Sequence, residues 1–340
     1  MVTVIAEAGV NHNGELKLAK QLIDVAVAAG ADYVKFQTFR ADRLVTASAS
    51  KATYQQRAAR RYPAEAQERQ LAMLKRLELS QQQYRELIDY SGRRGIQIFS
   101  TAFDLESLNF LHGLGQSLFK VPSGEITNLP YLEKVASFGK PTILSTGMAN
   151  LGEIEAALAV LRKHLGDDQL TVLHCNTQYP TPMQDVNLRA MGTIREAFRV
   201  AVGYSDHTLG IEVPVAAVAL GAICIEKHFT LSRDMKGPDH AASLEPGELT
   251  AMVAGIRNVE RALGDGVKQV SPSERENLAV ARKSIYTATA LGAGHRITAG
   301  DLIMLRPGDG LSPMLYHSLI GKTLRKDVAA NEQLGYQHFV

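Results

Sequence analysis

The sequence predicts an α/β protein, a (β/α)8 TIM barrel with a small C-terminal β-rich domain. Three observations predict it. Short β-branched runs alternate with helical stripes as far as about residue 265, the pattern of parallel βα units. Eight such runs are present, and their span suits a closed barrel of roughly 250 residues. No G-x-G-x-x-G fingerprint accompanies them, which counts against a doubly wound open sheet.

Taken in order, the expected strands run from Val2 to Ala6, Tyr33 to Gln37, Ile96 to Ser100, Leu118 to Val121, Thr142 to Ser145, Leu170 to His174, Val200 to Tyr204 and Ala222 to Glu226. Between them, Ile154, Ala157, Leu158 and Leu161 recur at i, i+3, i+4 and i+7 and predict one face of a helix. Leu249, Met252, Val253, Ile256, Val259 and Leu263 keep the same period, in a helix that should stop at Gly264. Residues 40–75 interrupt the rhythm and carry Arg57, Arg60 and Arg61; a connection this long is either an active-site lid or a surface excursion.

The barrel is expected over residues 1–265, a polar linker with some helix over 266–281, and the small domain over 282–340. The small domain carries a weak internal repeat: Leu291, Gly294 and Ile297 have the spacing of Val328, Asn331 and Leu334. Each set reads as a strand, a turn and a return strand. A module this small is marginal for a core of its own and is expected to lean on the barrel or on a partner subunit.

Composition excludes several classes. Net charge is +2 and the charges are dispersed, so no basic block exists to neutralise a nucleic-acid backbone. Cys175 and Cys224 each lie in an apolar run, which predicts buried free thiols in a reducing compartment. The N-terminus lacks a basic region followed by a long apolar one, and no run of about 18 apolar residues occurs. A cytoplasmic chain without a membrane span is expected.

Barrel chemistry sits where strands end, so the residues at those ends are the candidates. They are Glu7 after the first strand, Lys35 and Gln37 on the second, Thr101 after the third, and Lys120 and Ser123-Gly124-Glu125 at the fourth. Ser145 ends the fifth, Asn176, Thr177 and Tyr179 follow the sixth, Ser205-Asp206-His207 the seventh, and Glu226-Lys227-His228 the eighth. Lys35 is either a packed lysine paired with Glu7 or Asp104, or an anion contact. Lys120 points to the second reading, since two lysines among Ser and Thr hydroxyls suit a phosphate or carboxylate. His207 and His228 follow neighbouring strands, and imidazole is a common ligand for Zn, Mn or Fe; the alternative is two hydrogen-bonded histidines. A two-histidine site leaves positions open for substrate or water. His174 reads as structural or supporting, and His12 as a weaker third ligand candidate. Lys236-Gly237-Pro238-Asp239-His240 makes a tight turn that either does no more or delivers Asp239 as an acceptor for hydroxyl groups.

Motifs along nearly the whole chain then carry a resemblance. They are Ile5-Ala6-Glu7-Ala8-Gly9-Val10-Asn11-His12-Asn13-Gly14, Val34-Lys35-Phe36-Gln37-Thr38, Val121-Pro122-Ser123-Gly124-Glu125 and Leu144-Ser145-Thr146-Gly147-Met148. Tyr179-Pro180-Thr181-Pro182, Gly203-Tyr204-Ser205-Asp206-His207-Thr208, Glu226-Lys227-His228-Phe229-Thr230 and Gly237-Pro238-Asp239-His240 follow. The chain closely resembles the sialic acid (nonulosonic acid) synthases, and its tail resembles their antifreeze-like (SAF) domain.

The resemblance implies condensation of phosphoenolpyruvate with an N-acylated mannosamine-type sugar to a nine-carbon 2-keto acid and phosphate. N-acetylmannosamine, giving N-acetylneuraminate, is the leading expectation. A 2,4-diacetamido-2,4,6-trideoxymannose, giving a legionaminate, is the nearest alternative, and pseudaminate synthesis is a third. The resemblance places Mn²⁺, with Mg²⁺ or Co²⁺ as substitutes, on His207 and His228. It assigns Lys35, Gln37, Thr101, Lys120, Ser123, Ser145 and Ser205 to phosphoenolpyruvate, and Glu125, Thr177, Tyr179, Asp239 and Arg306 to the sugar. Glu7, Glu125, His207, His228 and Asp239 make up the implied catalytic set. Arg306 matches an arginine that one subunit inserts into its partner's barrel, which implies a domain-swapped homodimer. One departure bears on the sugar: Thr177 stands where members using N-acetylmannosamine often carry asparagine. A non-catalytic binding protein and a two-histidine metal hydrolase are the readings from other classes; the intact set of strand-end groups argues against the first.

Overall fold

A computed structural model describes residues 1–52, 55, 56 and 68–340; Arg57, Arg60 and Arg61 lie outside the described residues. The chain divides into two compact units, Met1–Gly264 and Asp265–Val340.

The first unit is an eight-stranded parallel barrel: β1 (Thr3–Gly9), β2 (Tyr33–Thr38), β3 (Gln97–Ala102), β4 (Phe119–Val121), β5 (Thr142–Ser145), β6 (Leu170–Cys175), β7 (Ala201–Asp206) and β8 (Cys224–His228). Each expected strand is present. Several end one to three residues later than expected, because the ladder continues through the polar strand ends: Glu7 pairs with Lys35 and His228, and Gln37 with Thr101. The strand order is β3-β2-β1-β8-β7-β6-β5-β4, so β1 against β8 closes most of the circle. The remaining seam, between β3 and β4, has a side chain in place of a ladder. Gln116 accepts from the Ser100 N–H at 2.9 Å and donates to the Ser100 and Leu118 carbonyls at 3.1 and 2.9 Å.

The surrounding helices are α1 (Leu16–Ala29), α2 (Ala41–Leu44), α3 (Gln70–Leu77), α4 (Gln81–Arg94), α5 (Leu105–Gly113), α6 (Leu129–Ser137), α7 (Leu151–Leu161), α8 (Ala190–Phe198), α9 (Glu212–Ala219) and α10 (Pro246–Leu263). Local chemistry sets their ends. Asn150 and Glu153 form a capping box at the start of α7, whose Ile154, Ala157, Leu158 and Leu161 are all buried. α10 stops at Gly264, where φ is 61°. No helix of the described residues is long and apolar enough to cross a membrane.

The described ends of the 40–75 connection are packed inward in part. Val10, Phe39, Ala41, Met73, Leu74 and Leu77 form an apolar cluster of their own beside the strand ends. Gly14, at φ +79°, lies so close to the Arg76 carbonyl that a Cβ would not fit.

In the second unit, β9 (Ser284–Thr287) pairs antiparallel with β10 (Leu302–Leu305) over a small core of Ile285, Ile297, Leu319, Leu324, Val328 and Leu334. The repeat is visible in the backbone. Leu291 and Val328 bridge each other, and Gly294 and Asn331 both turn through positive φ, 84° and 57°.

Candidate active site

The barrel interior changes character in one step. Ile5, Phe99, Ile143, Leu173 and Cys224 form an inward apolar layer, with Tyr33 and Leu118 packed against it. Side chains two residues further along a strand face the same way. Those residues are Glu7, Thr101, Ser145, Cys175 and Glu226, with Lys35 and Lys120 after Tyr33 and Leu118. Gly203 of β7 lies in the apolar layer, where a Cβ would collide with Leu173 and the Cys224 carbonyl. Two residues later comes Ser205, and two after that His207.

These groups line a cavity of about 180 Å³. It brings together Glu7, Lys35, Gln37, Thr101, Lys120, Ser123, Ser145, Thr177, Tyr179, Ser205, His207 and His228. Its centre is a buried charge network. Lys120 Nζ reaches the two Glu226 oxygens at 2.8 and 2.9 Å. Lys35 Nζ lies 3.2 Å from Glu226, 3.1 Å from Glu7 and 3.0 Å from Thr101 Oγ1. Ser205 Oγ donates to Glu226 at 2.8 Å, and Gln37 Nε2 to Glu7 at 3.2 Å. Of the two partners considered for Lys35, Glu7 is the one it meets. Asp104 instead caps α5, accepting from Ser107 N at 2.7 Å.

Burial acts differently on the two acids. It pushes the Glu7 carboxyl up to about 7, against the opposing pull of Lys35. Burial would also raise Glu226, but Lys120 and Lys35 together outweigh it and hold that carboxyl well below the usual range. Glu226 is therefore the permanent anion of the cluster, while Glu7 exchanges its proton near neutrality. The sequence places Glu226 among the strand-end candidates but assigns it no role. The signal was present, since Glu226 shares the inward parity of His228 two residues later.

His207 and His228 face each other with ring centroids 5.4 Å apart. Tyr179 lies over His207 at 4.0 Å and meets His228 edge-on at 5.5 Å. His207 Nδ1 is hydrogen-bonded to the Asn176 carbonyl, which leaves Nε2 as the acceptor nitrogen. His228 Nδ1 is buried with no hydrogen-bond partner. Burial lowers His207 to about 4 and holds His228 well below the usual imidazole range, so both rings are neutral and can donate lone pairs. No set of three or more His, Cys, Asp or Glu side chains converges among the described residues. The two neutral imidazoles are the groups of this cavity whose lone pairs could hold a divalent ion, its other positions being left to water or substrate.

The remaining candidates lie elsewhere. Glu125 sits in the 3-10 turn after β4, where it accepts from Asn128 Nδ2 at 2.5 Å and does not line the cavity. Asp239 lines a neighbouring cavity of about 300 Å³. Arg306 belongs to the second unit, where its Nε donates to the Ala281 carbonyl at 2.9 Å. His174 Nε2 donates to the Val186 carbonyl at 2.9 Å and packs on Tyr204, a structural role. His12 is fully buried with Nδ1 facing Gly14 N at 3.0 Å. Cys175 and Cys224 are buried free thiols.

A barrel whose mouth combines paired lysines, hydroxyls, two carboxylates and two neutral imidazoles defines an enzyme that handles a small anionic substrate. Comparison with known proteins gives the family. Residues 22–268 match the NeuB family and residues 282–340 match the SAF domain. The chain is 50% identical to the N,N'-diacetyllegionaminic acid synthase of Campylobacter jejuni over 97% of each chain. It is 46% identical to the protein of that name from Legionella pneumophila, over 98% of this chain and 94% of the relative. The crystal structure of the N-acetylneuraminic acid (sialic acid) synthetase of Leptospira borgpetersenii, in complex with citrate, superposes with a TM-score of 0.70 at 35% identity, covering 81% of this chain and 90% of the other. The chain belongs to the NeuB family and is a nonulosonic acid synthase, an enzyme that forms a C–C bond using phosphoenolpyruvate.

Proposed function

We propose that the enzyme condenses phosphoenolpyruvate with 2,4-diacetamido-2,4,6-trideoxymannose, releasing phosphate and N,N'-diacetyllegionaminate. The observation that carries the choice of sugar is the 50% and 46% identity to two proteins named for that product, against 35% for the neuraminic acid synthetase. Thr177 agrees with it, lining the cavity where members using N-acetylmannosamine often carry asparagine. The N-acetylneuraminate expectation therefore gives way to the legionaminate alternative.

In this reaction C3 of phosphoenolpyruvate bonds to the aldehyde carbon of the open-chain sugar. Water adds at C2, and the C2–O bond to phosphate breaks. Lys35 and Lys120 hold the anionic groups as point charges, and Thr101, Ser123, Ser145, Ser205 and Gln37 supply hydrogen bonds. Ser145 Oγ is buried and without a partner, which suits a hydroxyl reserved for ligand. His207 and His228 would hold a divalent ion, Mn²⁺ first and Mg²⁺ or Co²⁺ in its place, supplying Lewis-acid polarisation of the aldehyde oxygen. Glu7 accepts the proton of the attacking water; its position in the cavity favours it over Glu125. From the family resemblance we also propose a cytoplasmic, domain-swapped homodimer in which the partner's Arg306 reaches the sugar.

Phosphate release with phosphoenolpyruvate and Mn²⁺ tests the sugar. The trideoxy sugar is expected to give a kcat/KM at least about ten-fold above N-acetylmannosamine. A higher value with N-acetylmannosamine, or with the epimeric sugar that leads to pseudaminate, would overturn the choice. No release with any of them would overturn the condensation itself.

Glu7 gives the pH dependence. Its carboxyl is raised to about 7, so it is protonated below that value and a base above it. Activity should therefore rise with pH through about 7 in kcat/KM, which reports the free enzyme. Glu7→Gln should lower kcat about 10²–10⁴-fold and remove the acid limb. An acid limb that survives in the variant would assign the base elsewhere.

A further inference from the structure

The second cavity, of about 300 Å³, adjoins the first and shares Gln37, Phe103, Tyr179 and His228 with it. Its far side is mostly apolar, with Gln55 and Gln70 as its polar members. Phe39, Leu44 and Val45 follow β2, Met73 and Leu74 come from α3, and Val10 follows β1. All six belong to the apolar cluster that is separate from the barrel core. Asp239 places a carboxylate in this lining. It is 6% exposed, and its Oδ1 has no hydrogen-bond partner. Burial alone raises it, to about 6. A buried acceptor without a donor is costly in the free protein and calls for a ligand that brings an N–H or O–H. The turn that delivers it is fixed by its neighbour: His240 is fully buried between Thr230 Oγ1 at 2.6 Å and Asn13 Oδ1 at 3.2 Å.

We propose that this second cavity holds the C4–C6 end of the sugar, and that its apolar wall selects a 6-deoxy, 4-acylamino terminus over one with free hydroxyls at C4 and C6. The inference rests on the condensation proposed above and deepens it. The sugar aldehyde must meet C3 of phosphoenolpyruvate beside His207 and His228. The rest of the chain then runs past Tyr179 and His228 into the adjoining space. There the C6 methyl and the acyl methyl at C4 meet Leu44, Val45, Met73 and Leu74, while an N–H or hydroxyl of the sugar donates to Asp239. A 6-hydroxyl facing Leu44, Val45, Met73 and Leu74 loses water and gains no partner from those side chains. Discrimination by such a wall is bounded: an apolar pocket rejects an added hydroxyl by about 10²-fold, and one lost methylene contact is worth about 10–200-fold. The described part of the 40–75 connection thus acts as a specificity element.

The test compares three sugars: 2,4-diacetamido-2,4,6-trideoxymannose, 2-acetamido-2,6-dideoxymannose and N-acetylmannosamine. Each is supplied with phosphoenolpyruvate and Mn²⁺ to the full chain, and kcat/KM is read from phosphate release. In the unsubstituted enzyme the order is expected to be as written, with the first and last about a hundred-fold or more apart. Leu74→Asn and Val45→Thr should each shrink that ratio, the first by about ten-fold, mainly through KM for the trideoxy sugar. Release with ratios unchanged in both variants would overturn the wall while leaving the condensation standing. So would a preference of the unsubstituted enzyme for the 6-hydroxy over the 6-deoxy monoacetamido sugar. Release with none of the three sugars would overturn both. Should Leu74→Asn fail to fold, Val45→Thr at a half-buried position and the 6-deoxy comparison still decide the matter.

Discussion

Glu226→Ala is expected to cost about 3–5 kcal/mol of stability and most of the activity, and part of the lost stability should return with inorganic phosphate. The carboxylate is the shared partner of two buried ammonium groups, Lys120 at 2.8 Å and Lys35 at 3.2 Å. Lys35 keeps Glu7 when Glu226 is removed, but Lys120 keeps no ion pair among those found between described residues. Breaking a buried pair on one side leaves an uncompensated charge, which is the source of the 3–5 kcal/mol. Burial already pushes Lys120 down, so the stranded amine tends to shed its proton. A neutral Lys120 grips an anion poorly, and the KM for phosphoenolpyruvate should rise. Phosphate can stand in for the missing carboxylate, because binding to the native state stabilises it by mass action. The Tm of Glu226→Ala should therefore climb more with phosphate than that of the unsubstituted protein. Equal shifts in both, from equal starting values, would show that the lysines do not depend on Glu226.

Much of this site was legible because the barrel repeats with period two. Once Ile5, Tyr33, Phe99, Leu118, Ile143 and Leu173 are taken as inward, the polar residues two positions later must converge on one mouth. A lysine in Tyr33-Val34-Lys35-Phe36-Gln37 could not be ordinary loop polarity. Glu226 is named at a strand end but given no role, because His228 two residues on draws the assignment. Glu125 follows a strand as the others do, yet a 3-10 turn and Asn128 direct its carboxylate elsewhere. The Gln116 clamp at the β3–β4 seam could not be read, since a loop glutamine carries no periodic signal. The apolar residues of the 40–75 connection had the same difficulty. Leu44, Val45, Met73 and Leu74 are separated by a long stretch, and only the fold puts them in one wall.

Lys227→Met should unfold more easily by about 3–5 kcal/mol, and the way in which the loss is repaired distinguishes packing from positioning. Lys227 is 0% exposed and has the opposite parity to His228, on the far side of the barrel wall. Its ammonium pairs with Asp206 and donates to the Thr208 carbonyl at 2.5 Å. Asp206 in turn accepts from Thr208 N and Oγ1, each at 3.0 Å. The pair therefore clamps the residues on both sides of His207 to the residue before His228. Burial drives Asp206 up and Lys227 down, each toward its neutral form, so desolvation is not fully offset by the pairing. Such pairs can often be replaced on both sides by apolar groups with little loss, whereas removal of one partner is severe. Lys227→Met with Asp206→Leu should accordingly recover most of the Tm. It should not recover the grip on Thr208, and with it the register of the two imidazoles. On the proposed metal reading, half-maximal activation by Mn²⁺ should stay about 10–100-fold weaker in the double variant, the usual size of an outer-shell effect. Recovery of both stability and metal response would reduce the pair to packing; recovery of stability alone makes Lys227 and Asp206 the positioning residues of the histidine pair.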